Sequence, residues 1–143
     1  MGIGITALCQ NCGYERDFKL GVGMAYSSLE NVIYLVPKGR RERVLDILRN
    51  HKVIQRISWH RLFQCQSCNR LYGKFYVRIE YDDNKVYELK FNCSKCKTEL
   101  QVVDAVEILN NMDNELNEEG LKNYPCPKCD ITELSFHVSS LWD

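Results

Sequence analysis

The chain has 143 residues, 45% of them hydrophobic, with 19 Lys+Arg against 19 Asp+Glu. That balance excludes wholesale disorder and a uniformly basic nucleic-acid coat, and no apolar run nears the roughly 20 residues of a bilayer span. The one abnormal number is eight cysteines.

In chain order, Ile3, Ile5 and Ala7 alternate as in a strand running to Cys9, and residues 14–20 lead away from Cys12. Gly21 and Gly23 mark a bend, without the helix-opening context of a phosphate loop. A turn starts near Ser27, with Glu30 three residues on as a capping box. Residues 41–51 place Val44, Leu45, Ile47, Leu48 and His51 at helical spacing. Trp59 to Gln64 read as a strand into Cys65, and Leu71 to Tyr81 as a strand away from Cys68, rich in aromatic and β-branched residues. A turn at Asp82-Asp83-Asn84-Lys85 sends Val86 to Phe91 into Cys93, and Leu100 to Val103 follow Cys96. A second helix is expected over 105–118, with Asp104 as cap, before a polar connection through 113–123. Pro125 and Pro127 brace the last cysteine pair, and Leu134, Phe136 and Val138 alternate after it. The fold class expected is α+β and β-rich, with one or two short helices.

All eight cysteines fall into C-x-x-C pairs: Cys9/Cys12, Cys65/Cys68, Cys93/Cys96 and Cys126/Cys129. Two residues between thiols let a tight turn aim both sulfurs at one ion, and two such turns complete a tetrahedral shell. The residues after the second cysteines are Gly13, Asn69, Lys97 and Asp130. Such turns end in a left-handed conformation that Gly takes freely and Asn or Asp tolerate; Lys97 departs from the pattern. A redox dithiol would sit at a helix start, and a disulfide scaffold would need an oxidising compartment that nothing in the sequence signals. The expected cofactors are therefore two Zn2+, with iron as the rival metal. With no secretory signal, the expected localisation is cytoplasmic.

Four pairs join into two sites in three ways. Only 24 residues, one plausible hairpin, lie between Cys68 and Cys93. Low loop-closure cost thus favours Cys65, Cys68, Cys93 and Cys96 as site 1, leaving Cys9, Cys12, Cys126 and Cys129 as site 2. Joining neighbours in order, or crossing them, stays open. The segment from Cys65-Gln-Ser-Cys68 to Cys93-Ser-Lys-Cys96 resembles a zinc ribbon, the module of transcription elongation factors, polymerase subunits and many ribosomal proteins. In elongation-factor ribbons an acidic pair at the hairpin tip acts in a polymerase, and Asp82 and Asp83 fall at the corresponding turn. The whole chain is similar to small uncharacterised four-knuckle bacterial proteins. The ribbon resemblance covers 65–96, about a quarter of the chain; with the cysteine pairing, the architecture expected is two zinc ribbons with rubredoxin-like knuckles in one compact body: 1–143 as one zinc-stapled domain, 65–96 as the central ribbon, and 1–24 plus 124–143 as the second site. Residues 25–61 would form a basic helical insert and 104–123 an acidic helix and linker.

Charge is not uniform along the chain. Residues 1–61 carry +5, 62–98 carry +3 and 99–143 carry −8. The sharpest piece holds Lys38, Arg40, Arg41, Arg43, Arg49, Lys52, Arg56 and Arg61, candidates for nucleic-acid or partner contacts. Trp59 lies among them for stacking. The competing reading is a solvated face answered by the acidic tail. Closed four-cysteine sites leave no open metal position, His51, His60 and His137 are not spaced as joint ligands, and no G-x-S-x-G motif is present. A non-enzymatic zinc protein acting as a protein-interaction or assembly module is thus expected. The alternatives are a nucleic-acid binder using 38–61 and a rubredoxin-like iron electron carrier; no membrane partner is expected.

Overall fold

The computed structural model describes residues 2–23, 28–104 and 124–143. Seven strands are found among them: β1 (Gly2–Cys9), β2 (Glu15–Leu20), β3 (Val53–Gln64), β4 (Leu71–Tyr81), β5 (Lys85–Glu88), β6 (Gln101–Val103) and β7 (Leu134–Trp142). They form two antiparallel sheets, ordered β2-β1-β7 and β5-β4-β3-β6. One short α-helix, α1 (Arg41–Asn50), follows 3-10 stretches at Glu30–Leu35 and Lys38–Arg40. No helix of the described residues is long and apolar enough to cross a membrane. The helix expected over 105–118, the connection through 113–123 and the Ser27 cap lie outside the described residues.

The two sheets repeat one plan. A strand enters a cysteine turn and the next leaves it antiparallel; a later cysteine turn then sends a third strand back along the other edge of the first. β1, β2 and β7 follow this plan in one sheet, and β3, β4 and β6 in the other, with β5 added by a hairpin. The second unit is inserted between β2 and β7 of the first. The sheets meet where β2 ends: Gly21 and His60 exchange backbone hydrogen bonds of 2.9 and 2.8 Å.

Strand alternation decides what each face of the larger sheet covers. Leu62 and Leu71, at its cysteine end, join Ile5, Phe18, Leu20, Leu134 and Phe136 of the smaller sheet in one cluster. Gly73 lies mid-strand because a Cβ there would stand 3.2 Å from the Phe18 ring. Further along the same face, Phe75, Val77, Ile79 and Tyr81 pack against Val44 and Ile47 of α1 and against Leu29, Val32 and Val36. On the opposite face Phe63 and Tyr76 cluster with Cys65, Cys93 and Leu100. Period two thus serves two separate cores with one strand pair.

Two boundaries differ from the sequence reading. β3 begins at Val53, six residues before the strand expected from Trp59, so residues 53–58 of the insert are strand and α1 ends at Asn50. β5 ends at Glu88, and Leu89 keeps a single 2.9 Å bond to the Val77 carbonyl as the chain leaves the ladder toward Cys93. Trp142 is a plug: it lies over Gly2, where a Cβ would meet its ring at 2.3 Å, and its indole N–H donates to the Ile3 carbonyl at 3.1 Å.

Candidate metal centres

The four C-x-x-C turns are built alike. In each, the first cysteine's N–H donates to the carbonyl five residues on (Tyr14, Arg70, Thr98, Ile131), at 2.8–3.0 Å. The residue after the second cysteine returns a bond of 2.8–3.0 Å to the first cysteine's carbonyl. That residue is left-handed every time: Gly13 at φ 75°, Asn69 at 62°, Lys97 at 63° and Asp130 at 62°. Lys97 has no intrinsic liking for this region; its ammonium donates to the Ser94 carbonyl at 2.8 Å, within the same turn.

The turns meet in two groups: Cys65, Cys68, Cys93 and Cys96, and Cys9, Cys12, Cys126 and Cys129. Within each group the sulfurs lie within 4.8 Å of one another. The nested arrangement is the one formed, and both groups are made of zinc-ribbon-like knuckles. Cys9–Cys129, Cys12–Cys126 and Cys68–Cys93 sulfurs stand 3.7, 3.6 and 3.7 Å apart. A disulfide needs about 2.05 Å. A tetrahedral shell with metal–sulfur bonds of about 2.3 Å has sulfur–sulfur edges of about 3.8 Å. The spacing therefore fits a four-sulfur metal shell, and all eight thiols are unbridged.

The first cysteine of each pair is buried to 1% exposure or less, and the second is half-buried. Polar groups that the sequence reading did not single out reach the sulfurs. The Tyr72 hydroxyl is 3.3 Å from Cys93 Sγ and the Thr98 hydroxyl 3.4 Å from Cys65 Sγ. Asn11 donates to Cys129 Sγ at 3.6 Å, Cys96 N–H to Cys93 Sγ at 3.4 Å, and Lys128 N–H to Cys126 Sγ at 3.3 Å. The Tyr72 hydrogen bond draws the Cys93 thiol down to about 6. The Cys68 thiol beside Cys96, with burial, pushes Cys96 up, and burial does the same to Cys126. Four sulfurs in one shell do not all ionise without a counter-charge, and a divalent cation supplies it.

The two groups are also tied together. Gln64, the one buried polar residue among those described, donates to the Asn69 carbonyl at 3.2 Å and the Pro125 carbonyl at 3.4 Å. Asn69 Nδ2 donates to Asp130 Oδ1 at 3.2 Å. Both partners are left-handed turn residues, so one position closes its own turn and links it to the other centre.

The basic run of 38–61 is spread over a 3-10 stretch, α1 and β3. Lys38 and Arg40 lie in the 3-10 stretch before α1, and Arg49 is exposed in the last turn of α1. Arg41 folds back to donate to the Val36 and Tyr34 carbonyls, both at 2.8 Å. Arg43 binds Asp46 at 3.2 Å and the Tyr81 hydroxyl at 3.0 Å, and Arg56 pairs with Glu30 at 3.6 Å. Lys52 donates its backbone N–H to Asp82 at 3.1 Å. Arg61 alone faces the other side of the larger sheet, over the rings of Trp59 and Tyr76. Helical and strand periodicities send sequence neighbours to different faces, which a linear charge count misses.

Asp82 and Asp83 occupy the hairpin tip with φ of 47° and 68°. The Asp82 carboxylate is engaged by His51 Nδ1 at 2.5 Å, which holds the acid below the usual carboxylate range and ties the tip to the end of α1. The chain matches no protein-family model, no curated protein and no solved structure.

Proposed function

We propose that the chain is a non-enzymatic binding module stapled by two structural zinc ions, one in each four-cysteine group. The observation that carries this reading is the sulfur spacing of 3.6–3.7 Å in both groups, close to the edge of a zinc–thiolate tetrahedron. Cys65, Cys68, Cys93 and Cys96 would hold one ion, and Cys9, Cys12, Cys126 and Cys129 the other. Four thiolates fill the shell and leave no position for water or substrate, which supports a structural role over a catalytic one. Zinc is favoured over iron as the usual metal of structural four-cysteine sites. A reducing compartment fits eight unbridged thiols.

A structural zinc ion adds about 10–16 kcal/mol of apparent binding energy at neutral pH, of the order of a whole domain's net stability. Native mass spectrometry of the purified, colourless chain should find two zinc ions, and a strong chelator should unfold it. A chain that stays natively folded after the metal is stripped would overturn this reading, and red protein would replace it with an iron electron carrier. A protein partner fits the charge difference between 1–98 and 99–143. A nucleic-acid partner draws its support from a different face, outside most of the 38–61 run.

A further inference from the structure

We infer that the outward face of the β3–β4 ribbon binds single-stranded nucleic acid, with Arg61 and Lys74 on its phosphates and Trp59 stacked on a base. This deepens the binding-module reading and does not depend on which metal fills the cysteine groups.

The face is built by alternation. On β4 the outward residues are Tyr72, Lys74, Tyr76 and Arg78; on β3 they are Ile57, Trp59, Arg61 and Phe63. The register sets Trp59 opposite Tyr76, Arg61 opposite Lys74, and Phe63 opposite Tyr72. Two cations directly opposite on neighbouring strands destabilise a sheet. Among the described residues, neither Arg61 nor Lys74 has a carboxylate within ion-pair distance. Each lies over aromatic rings instead: Arg61 at 5.7 Å from Trp59 and 4.8 Å from Tyr76, Lys74 at 5.6 Å from Tyr72 and 5.8 Å from Phe91. The nearby acids are already answered. Glu88 takes the Tyr76 hydroxyl and lies 3.9 Å from Arg78, Glu80 takes Arg78, and Glu99 lies 3.8 Å from Lys90. The fold thus tolerates a repulsive cation pair that an anion would relieve.

Beside Arg61 is an open cavity of about 290 Å³, lined by Phe63, Tyr76 and Phe91 and also by Glu88, Lys90 and Glu99. That volume is at the small end of ligand sites and suits one planar group. Trp59, outside that lining, is 39% exposed, and Val102 within it 41%. Cations set beside an exposed indole match a chain that carries both phosphates and base faces. An acidic polypeptide offers the charge without the planar groups, and a duplex keeps its base faces stacked inside.

The experiment is an anisotropy titration of the metal-loaded full chain against a dye-labelled, mixed-sequence single strand of about 12 nucleotides, within the usual span of a binding groove. The single strand should bind better than its duplex. The double variant Arg61→Gln/Lys74→Gln should weaken binding at least tenfold and shrink the slope of log affinity against log salt by about 1.4, at about 0.7 per lost phosphate contact. Trp59→Leu, at a surface position that spares the fold, should weaken binding and leave that slope unchanged. Arg49→Gln, on α1, should alter neither. The inference is overturned by no binding, by equal binding of duplex, by unchanged affinity in both the double variant and Trp59→Leu, or by polyglutamate displacing the strand at equal charge concentration. Metal counts on the same samples keep the two readings apart: two zinc ions without strand binding refutes this surface alone, and fewer than two refutes the zinc assignment alone.

Discussion

Replacing Cys126 with serine removes one sulfur from the group that joins the first and last strands. Cys12 and Cys126 are 114 residues apart, so chain closure alone makes that cross-link worth about 4.8 kcal/mol, by the entropy of a closed loop of this length. The inner group spans 25 residues between Cys68 and Cys93, worth about 3.5 kcal/mol on the same scale. The outer clamp is the larger, yet its loss should be the more local. The inner unit keeps two clusters of its own, one under α1 and one around Phe63 and Tyr76. The smaller sheet has no such independence, since its core borrows Leu62, Leu71 and Val103 from the larger one. Cys126→Ser should therefore retain one metal ion and slow amide exchange in β3 and β4, while β1, β2 and β7 exchange freely. Cys93→Ser should lose protection in both sheets, because it removes the floor on which the smaller sheet rests. Hydrogen exchange with mass spectrometry, on samples whose metal content is counted, reads both variants. Equal global unfolding of the two, or a protected β1–β7 pair in Cys126→Ser, would refute the reasoning.

Lys97→Gly should stabilise the chain by up to about 1 kcal/mol, the left-handed strain relieved less the extra freedom glycine gives the unfolded state. Gly13→Ala, whose Cβ would meet nothing within 4 Å, should cost about 1 kcal/mol through its φ of 75° alone. Denaturation midpoints check both, and a matching sign for the two would contradict the turn argument. Gly2→Ala should displace Trp142 and cost about 1–3 kcal/mol, seen as red-shifted tryptophan emission with a lower melting temperature. Burial, with Lys19 nearby, holds His60 below the usual imidazole range. The unfolded chain then takes up this proton first, so stability present above the ordinary value falls as pH drops below about 6.5. His60→Phe should flatten the fall in urea midpoint between about pH 7.5 and 6 at fixed zinc, and an unchanged slope would remove the histidine from the account.

The cysteine turns were legible because their chemistry is local. Spacing names the ligands, and the residue after each pair names the backbone twist, with Lys97 as the position where propensity and geometry disagree. The nested arrangement followed from hairpin closure between Cys68 and Cys93. What stayed hidden depends on register. Arg61 and Lys74 are 13 positions apart in sequence and become neighbours only once β3 and β4 are aligned. Arg41 and Arg56 carry no sequence signal for their bonds to Val36 and Glu30. Gln64 carries no sequence signal for its bond across the two centres, and Gly73 gives none for the Phe18 ring that needs its space.

The insertion of one unit within the other also sets a timetable. On a growing chain, every cysteine of the inner group has been synthesised by Cys96, while Cys9 and Cys12 must wait for Cys129. Until translation reaches that point, the first two sulfurs are an incomplete claw, open to oxidation or to capture by another thiol pair. Under the proposed two-ion assignment, a shortage of the metal during synthesis would leave molecules half assembled from the middle outward.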